Sequence, residues 1–224
     1  MTTFRIAVIG GTGPQGKGLG YRFAKHGHEV VLGSRSAERA VPVADEVRAR
    51  LSDVPGAGSV SGASNADACA ASDVVVLAVP YDGHDELVAS LPLAGKTVVS
   101  CVNPLAFDKR GAHGQVIDGG EGSAAESAQR IAPDATVVGA FHHVSAVTLW
   151  SDAEYLEEED VLVCGDTAEG KQVAIELARC VTGRDGIDGG KLRLARQLEP
   201  LTAVLISINR KYKVHSGIRI TGLG

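Results

Sequence analysis

Short β-branched runs alternate with amphipathic stretches along the first two thirds of the chain, and that alternation predicts most of the architecture. Phe4–Ile9 (FRIAVI) is an apolar run of the kind buried on both faces of a parallel sheet. A glycine cluster follows, then a helical pattern from Gly16 to His26 and a second strand at His28–Gly33. Ser36–Leu51 reads as a helix, with Ser36 as N-cap and Ala40, Val43, Ala44 and Val47 on one face. A short strand is predicted at Ser59–Ser61 and a short helix at Asp67–Ala71, leading into the clearest buried strand, Asp73–Val79 (DVVVLAV). A helix at Asp82–Leu91 and a strand at Thr97–Cys101 come next. Phe107–Gly122, polar and rich in glycine, predicts an excursion over the surface. Ser123–Ile131 reads as helix and Thr136–Phe141 as strand.

Strands alternating with helices require right-handed crossovers and a parallel sheet. The expected fold class is therefore α/β: a Rossmann-type doubly wound parallel sheet with a small C-terminal, largely helical part. The expected division is a dinucleotide-binding domain over residues 1–141 and a smaller part over 142–224. Beyond Phe141 the rhythm changes. Val161–Cys164 and Ala168–Cys180 still read as strand and helix. The last element is a helix at Lys191–Tyr212, with Leu194, Leu198, Leu201, Leu205 and Ile208 spaced by three and four. Pro200 is expected to kink it or to start a second segment. The acidic run Glu157–Asp160 reads as a solvated loop.

Composition narrows the function. Glycine contributes 28 of 224 residues without a collagen period, which implies tight turns and close backbone approaches. A net charge of −5 provides no footprint for nucleic acid or an anionic membrane, so an anionic ligand must be held by a local site. Cys69, Cys101, Cys164 and Cys180 form no C-x-x-C pair and no zinc-finger spacing. No metal site is expected. The cysteines read as small buried hydrophobes in a reducing compartment. With no signal-peptide pattern and no apolar run long enough to span a bilayer, a cytoplasmic location is expected.

The chemistry begins at Gly11-Thr12-Gly13-Pro14-Gln15-Gly16, which matches G-x-G-x-x-G directly after a strand and at the opening of a helix. In this context Gly11 is expected to make the tight turn, Gly13 to admit a pyrophosphate against the backbone, and Gly16 to let helix and strand pack closely. The helix N-terminus supplies unpaired N–H groups to the phosphates. The second strand ends in Ser34-Arg35, with Arg39 one turn further on, where an NAD-binding chain places a carboxylate. Arg35 can fork onto a 2′-phosphate, and Ser34 and Thr12 can donate to it. These residues imply NADP(H). Val79, Pro80 and Tyr81, after the Asp73 strand, and Asn103, after the next, are expected on the rim near the nicotinamide. His142, His143 and Val144, after the last strand, are the expected second-substrate segment. No Tyr-x-x-x-Lys pair or other obvious acid/base is present. That fits transfer between two redox carriers better than reduction of a simple carbonyl.

Taken in order, IAVIGGTGPQGKGLGYRFAKHGHEVVLGSR, DVVVLAVP, VVGAFHHVSA, VLVCGD and RLARQLEPLTAVLISIN resemble the coenzyme F420-dependent NADP oxidoreductases over nearly the whole chain. The resemblance implies reversible hydride transfer between C5 of reduced coenzyme F420, an 8-hydroxy-5-deazaflavin, and C4 of NADP+. It implies that Thr12, Ser34, Arg35 and Arg39 meet the 2′-phosphate. It also implies that His142 and Val144 pack on the deazaflavin, with His142 positioning the ring, hydrogen bonding to its polar edge and serving as no general base. The smaller part, 142–224, is implied to complete the deazaflavin pocket, with the C-terminal helix closing the crevice. A homodimer is implied, for which the apolar face of that helix would serve, and Lys211–Gly224 would reach the coenzyme's phosphate and glutamate tail. His143 and Ser145 depart from the Thr-like residue and the proline that the resemblance leads one to expect. Two other readings stand beside it: an NADPH-dependent reductase of a small imine or other organic substrate, and a non-catalytic NADP(H) sensor.

Overall fold

The computed structural model describes residues 2–115, 117 and 122–223. Its first half runs β1 (Arg5–Ile9), α1 (Pro14–Lys25), β2 (Glu29–Ser34), α2 (Ala37–Arg50), β3 (Val60–Ser64), α3 (Asn65–Ala70), β4 (Val74–Leu77), α4 (His84–Ser90) and β5 (Thr97–Ser100). The second half runs β6 (Leu105–Asp108), β7 (Gly111–Gly114), α5 (Ala124–Ile131), β8 (Thr136–Ala140), α6 (Ala146–Leu149), β9 (Leu162–Gly165), α7 (Ala168–Thr182), β10 (Ile187–Gly190) and α8 (Ala195–Tyr212).

Eight strands form one sheet in the order β10-β9-β8-β5-β4-β1-β2-β3. All neighbours are parallel except β8 and β9, which are antiparallel. Alternation explains why the central strands read as unbroken apolar runs. Ile6 and Val8 of β1 enter one buried cluster with Leu19, Phe23, Leu32 and Leu177. Ala7 and Ile9 enter the other, with Leu77, Ala124 and Ala128. A strand covered on both faces buries every side chain, and each Ile or Leu so buried contributes about 1.5–3 kcal/mol. All four cysteines are free and buried, as expected. Among the described residues no helix is long and apolar enough to cross a membrane.

Four features depart from the sequence pattern. The sheet continues past residue 141, because β9 and β10 extend it beyond β8. The excursion after Asn103 begins as an antiparallel hairpin, β6–β7; Asp108 Oδ1 accepts from the N–H groups of Arg110 and Gly111 at 2.7 and 3.1 Å and closes its turn. Residues 116 and 118–121 of that excursion lie outside the described residues. A 3₁₀ turn at Leu192–Leu194 precedes α8, which runs on through Pro200. Finally, the acidic run is only half solvated: Glu157 and Glu158 are exposed, whereas Glu159 and Asp160 are buried. The main-chain N–H of Ile220 and two arginines distant in sequence, Arg184 and Arg219, satisfy Asp160, which composition alone does not reveal.

Candidate functional site: two chambers at the switch point

Strand order reverses between β1 and β4, and the crevice at their carboxyl ends is where open α/β sheets bind ligands. The motif predicts the tight turn at Gly11; the structure makes it at Gly10. Gly10 has φ +78°, and a Cβ there would lie 2.5 Å from the Ala78 carbonyl oxygen, so no side chain fits. Gly11 is small for a different reason: its Cβ would meet the Val8 carbonyl and Leu32. Gly16 lets α1 rest on the turn, since a Cβ would lie 2.5 Å from Gly10 O. Gly13 is the N-cap of α1, with Pro14 at the first helical position, where a missing N–H costs nothing. A Cβ on Gly13 would meet only Gly10 O, at 3.4 Å, so its face is open to the crevice.

Two cavities share Gly13, Ala78, Val79 and Pro80 as a common wall. The first, of about 490 Å³, includes Thr12, Ser34 and Arg35. The Thr12 and Ser34 hydroxyls lie 3.5 Å apart. Arg35 is exposed and, among the described residues, makes no hydrogen bond or ion pair, so its five donors remain available. Arg39 is likewise exposed and unpaired among the described residues, but it is not on the wall. Asn65, at the start of α3, is on the wall and was not flagged by any motif; its buried Oδ1 has no partner. Asp82 is the acid on this wall.

The second cavity, of about 460 Å³, is lined by Gln15, Asn103 and the 142–146 segment, by Thr202, Leu205, Ile206 and Asn209 of α8, and by Ser216. Among its described lining residues no side chain carries a formal charge. Burial, with a smaller contribution from His143, pushes the pKa of His142 down to about 3. Burial likewise holds His143 below the ordinary histidine range. Both imidazoles are therefore neutral at physiological pH.

Asn103 fixes His142 at two points. Its Nδ2 donates to His142 O at 2.8 Å, and its Oδ1 lies 3.2 Å from His142 Nδ1. Thr202 Oγ1 donates to the same carbonyl at 2.8 Å. His142 Nε2 is sealed from solvent without a partner, on the side of Gly139. The expected hydrogen bond from this ring to the edge of a bound deazaflavin is therefore not presented: Nδ1 is taken by Asn103 and Nε2 faces inward. The ring is part of the wall's support. Gln15 ties the two chambers together, its Nε2 lying 3.3 Å from Val144 O and 3.5 Å from Phe141 O. Phe141 holds φ +63°, a strained value for a non-glycine residue, where the chain leaves β8 and turns into the wall.

Not every expected site residue is on a wall. Gly11 and Gly16 shape the turn from behind. Tyr81 lines neither cavity; after Pro80 the chain turns into α4, and the Tyr81 ring stacks on His84 with centroids 5.9 Å apart. Lys211 and Lys213 are exposed and also off both walls. Thr202, Leu205, Ile206, Asn209 and Ser216 are not singled out by the sequence as site residues, although the C-terminal part they belong to is expected to complete this pocket; Ala78, Cys101 and Ala146 of the wall are not singled out either.

A family model described as "NADP oxidoreductase coenzyme F420-dependent" matches residues 5–104. Over 98% of its length the chain is 41% identical to an F420-dependent NADP reductase of Methanothermobacter thermautotrophicus, and it covers 95% of that protein. It is 37% identical to the F420-dependent NADP reductase of Methanocaldococcus jannaschii, with 98% of this chain and 99% of that one aligned. The chain belongs to the F420-dependent NADP reductase family. A crystal structure of a candidate F420-dependent NADP reductase from Arthrobacter sp. FB24 superposes with TM-score 0.77 at 28% identity, over 97% of this chain and 99% of the other. A pyrroline carboxylate reductase of Plasmodium falciparum with NADP bound shares the fold, with TM-score 0.57 at 12% identity over 95% of this chain and 66% of that one. The likeness to the F420-dependent NADP reductases thus includes α8 and the second chamber, beyond the 5–104 segment of the family model.

Proposed function

We propose that this protein catalyses reversible hydride transfer between reduced coenzyme F420 and NADP+, with NADP in the first chamber and the deazaflavin in the second. The observation that carries the reading is the shared wall: two ligand-sized cavities of opposite character meet at Gly13, Ala78, Val79 and Pro80. The residues present fit both groups. Unpaired Arg35, the two hydroxyls and the open face of Gly13 suit a 2′-phosphorylated dinucleotide. The uncharged second chamber suits a flat ring.

When bound, the deazaflavin supplies or accepts the hydride at C5 and the nicotinamide exchanges it at C4. The chain's own part is alignment and exclusion of water. Gly13 and the start of α1 receive the pyrophosphate. Val79 and Pro80 pack where the two rings would meet. Asn103 and Thr202 hold the His142 carbonyl, and Gln15 holds the turn that follows it, so the wall keeps one shape. One proton is also released as the reduced deazaflavin is oxidised; the neutral His142 and His143 are not assigned to it, and it leaves to water.

Two further statements belong to this reading. A second copy of the chain covers the outer face of α8, where Val204 and Tyr212 are 53% and 63% exposed, with Leu201 one turn before them and Ile208 between them. The protein works in the cytoplasm, where its four free thiols stay reduced.

The test is anaerobic mixing with reduced F420 and NADP+. Reoxidation of the deazaflavin with one NADPH formed per F420 is expected. NADPH-dependent reduction of a cyclic imine with no reaction of F420 would move the assignment to an imine reductase, and tight NADPH binding with no transfer at all would make the protein a sensor.

A further inference from the structure

We propose that Asp160, which does not line the second chamber, is a positioning residue for it: its carboxylate pins the C-terminal segment so that Ser216 becomes part of the chamber wall. The proposal rests on reading that chamber as the deazaflavin site.

Helix α8 ends at Lys213 in the left-handed conformation (φ 58°, ψ 45°), which folds the following chain back toward the crevice. Asn209 Oδ1 accepts from both the N–H and the hydroxyl of Ser216, each at 2.7 Å, and both residues line the chamber. Four residues further on, the N–H of Ile220 donates to Asp160 Oδ2 at 2.8 Å, and the N–H of Asp160 donates to Ile218 O at 2.7 Å. The segment is thus fastened at both ends, on the wall by Asn209 and away from it by Asp160.

Asp160 is equipped to remain charged. Burial works to raise its pKa, but the Ile220 N–H and the nearby Arg184 and Arg219 outweigh that and hold the carboxyl below its ordinary range. Arg184 Nη2 is 3.1 Å from Oδ1 and Arg219 Nε is 3.8 Å from Oδ2. Asp160 reaches the wall by a second route as well: its carbonyl accepts from His143 Nε2 at 2.7 Å, and His143 lines the chamber. Between the two fastenings the fit is close. A Cβ on Gly217 would lie 2.2 Å from Glu159 Cγ, so the segment lies directly on the buried Glu159 side chain.

Removing the carboxylate takes away the Ile220 fastening without touching any atom of either chamber, and leaves the far end held by the Asp160 N–H on Ile218 O and by Arg219 Nη1 on Glu157 O. A purely structural role would lower stability and weaken both ligands alike; a positioning role weakens one. Equilibrium binding of oxidised F420 and of NADP+ is measured for the wild type, Asp160→Ala, Asp160→Asn, Ile220→Pro and Ile220→Ala, together with the rate of tryptic cleavage after Arg219. Ile220→Pro removes the donor that Asp160 engages while leaving Asp160 in place, and Ile220→Ala, which keeps that N–H, is the control for the changed side chain; together they decide the matter if Asp160→Ala does not fold. Expected are a tenfold or greater loss of F420 affinity in Asp160→Ala and Ile220→Pro, NADP+ affinity within twofold of wild type, and faster cleavage after Arg219 in Asp160→Ala. Asp160→Asn, still an acceptor for Ile220, and Ile220→Ala each lose threefold or less. Faster cleavage with unchanged F420 affinity would overturn the proposal, as would equal losses for both ligands. A wild-type protein that binds no F420 would instead overturn the reading of the chamber.

Discussion

The two chambers share a wall but are built in different ways. The first is made by short local stretches at neighbouring strand ends: the glycine loop from Gly10 to Gly13, Ser34-Arg35 after β2, Asn65, and the 78–87 stretch after β4. The second is assembled from Gln15, Asn103, the 142–146 turn, one face of α8 and Ser216, brought together by side-chain-to-carbonyl bonds that span up to 129 residues. A short motif can specify a site when main-chain geometry does the binding. A pocket made of distant wall segments leaves no local signature, and its shape depends on the residues that fasten those segments.

This contrast predicts that single changes act on one chamber and spare the other. The largest effect belongs to Arg35→Asp. It removes charge-assisted bonds worth about 1.5–3 kcal/mol each and adds repulsion of the 2′-phosphate, so the NADP+ KM should rise roughly a hundredfold or more while that for NAD+ falls. Steady-state kinetics with both nucleotides checks it, and F420 binding should move by less than twofold. Next is Asn103→Ala, which releases His142. The KM for F420 should rise about tenfold, consistent with the loss of one or two buried hydrogen bonds, with NADP+ affinity nearly unchanged. Equal changes for the two ligands would dissolve the distinction between the chambers.

A third prediction concerns pH. With His142 pushed down to about 3 and no charged side chain among the described residues of its chamber, the isolated hydride-transfer step should be flat from pH 5 to 8. A break near pH 6.5 in single-turnover rates would place a titrating histidine in the chemistry. The smallest effect is on stability. Burial raises Glu159 to about 7, and Glu199 is raised to about 8. A carboxyl whose folded pKa lies above its unfolded value contributes most at low pH. That contribution is lost as pH rises from the ordinary Glu value through the raised one. Thermal melting should therefore show wild-type stability falling between about pH 4.5 and 7 in part through Glu159, and Glu159→Gln should flatten that slope.

Much of this was legible in the sequence. The α/β class follows from apolar runs such as DVVVLAV, because a strand buried on both faces has no polar alternation to disguise it. That Gly13, Ser34 and Arg35 come together on one cavity wall was legible, because their placement depends on position within a few residues. The turn moved from Gly11 to Gly10 because sequence cannot say which of two adjacent glycines takes the positive φ. Tyr81 left the rim because the turn into α4 pairs it with His84. The hidden part is what tertiary contact alone decides. Glu157–Asp160 is four acids in a row in the sequence; in the fold, two of them are buried and one is held by the N–H of Ile220, 60 residues away.

The central claim, that two redox carriers meet directly across one uncharged wall, is tested most directly by isotope. Reduced F420 carrying two deuterium atoms at C5 is mixed anaerobically with the protein and NADP+ in ordinary water, and the NADPH formed is examined by mass spectrometry. Direct transfer predicts one deuterium in each NADPH, on the nicotinamide ring. Unlabelled NADPH, with the deuterium lost to solvent, would require an exchanging proton carrier between the two rings and would contradict the account.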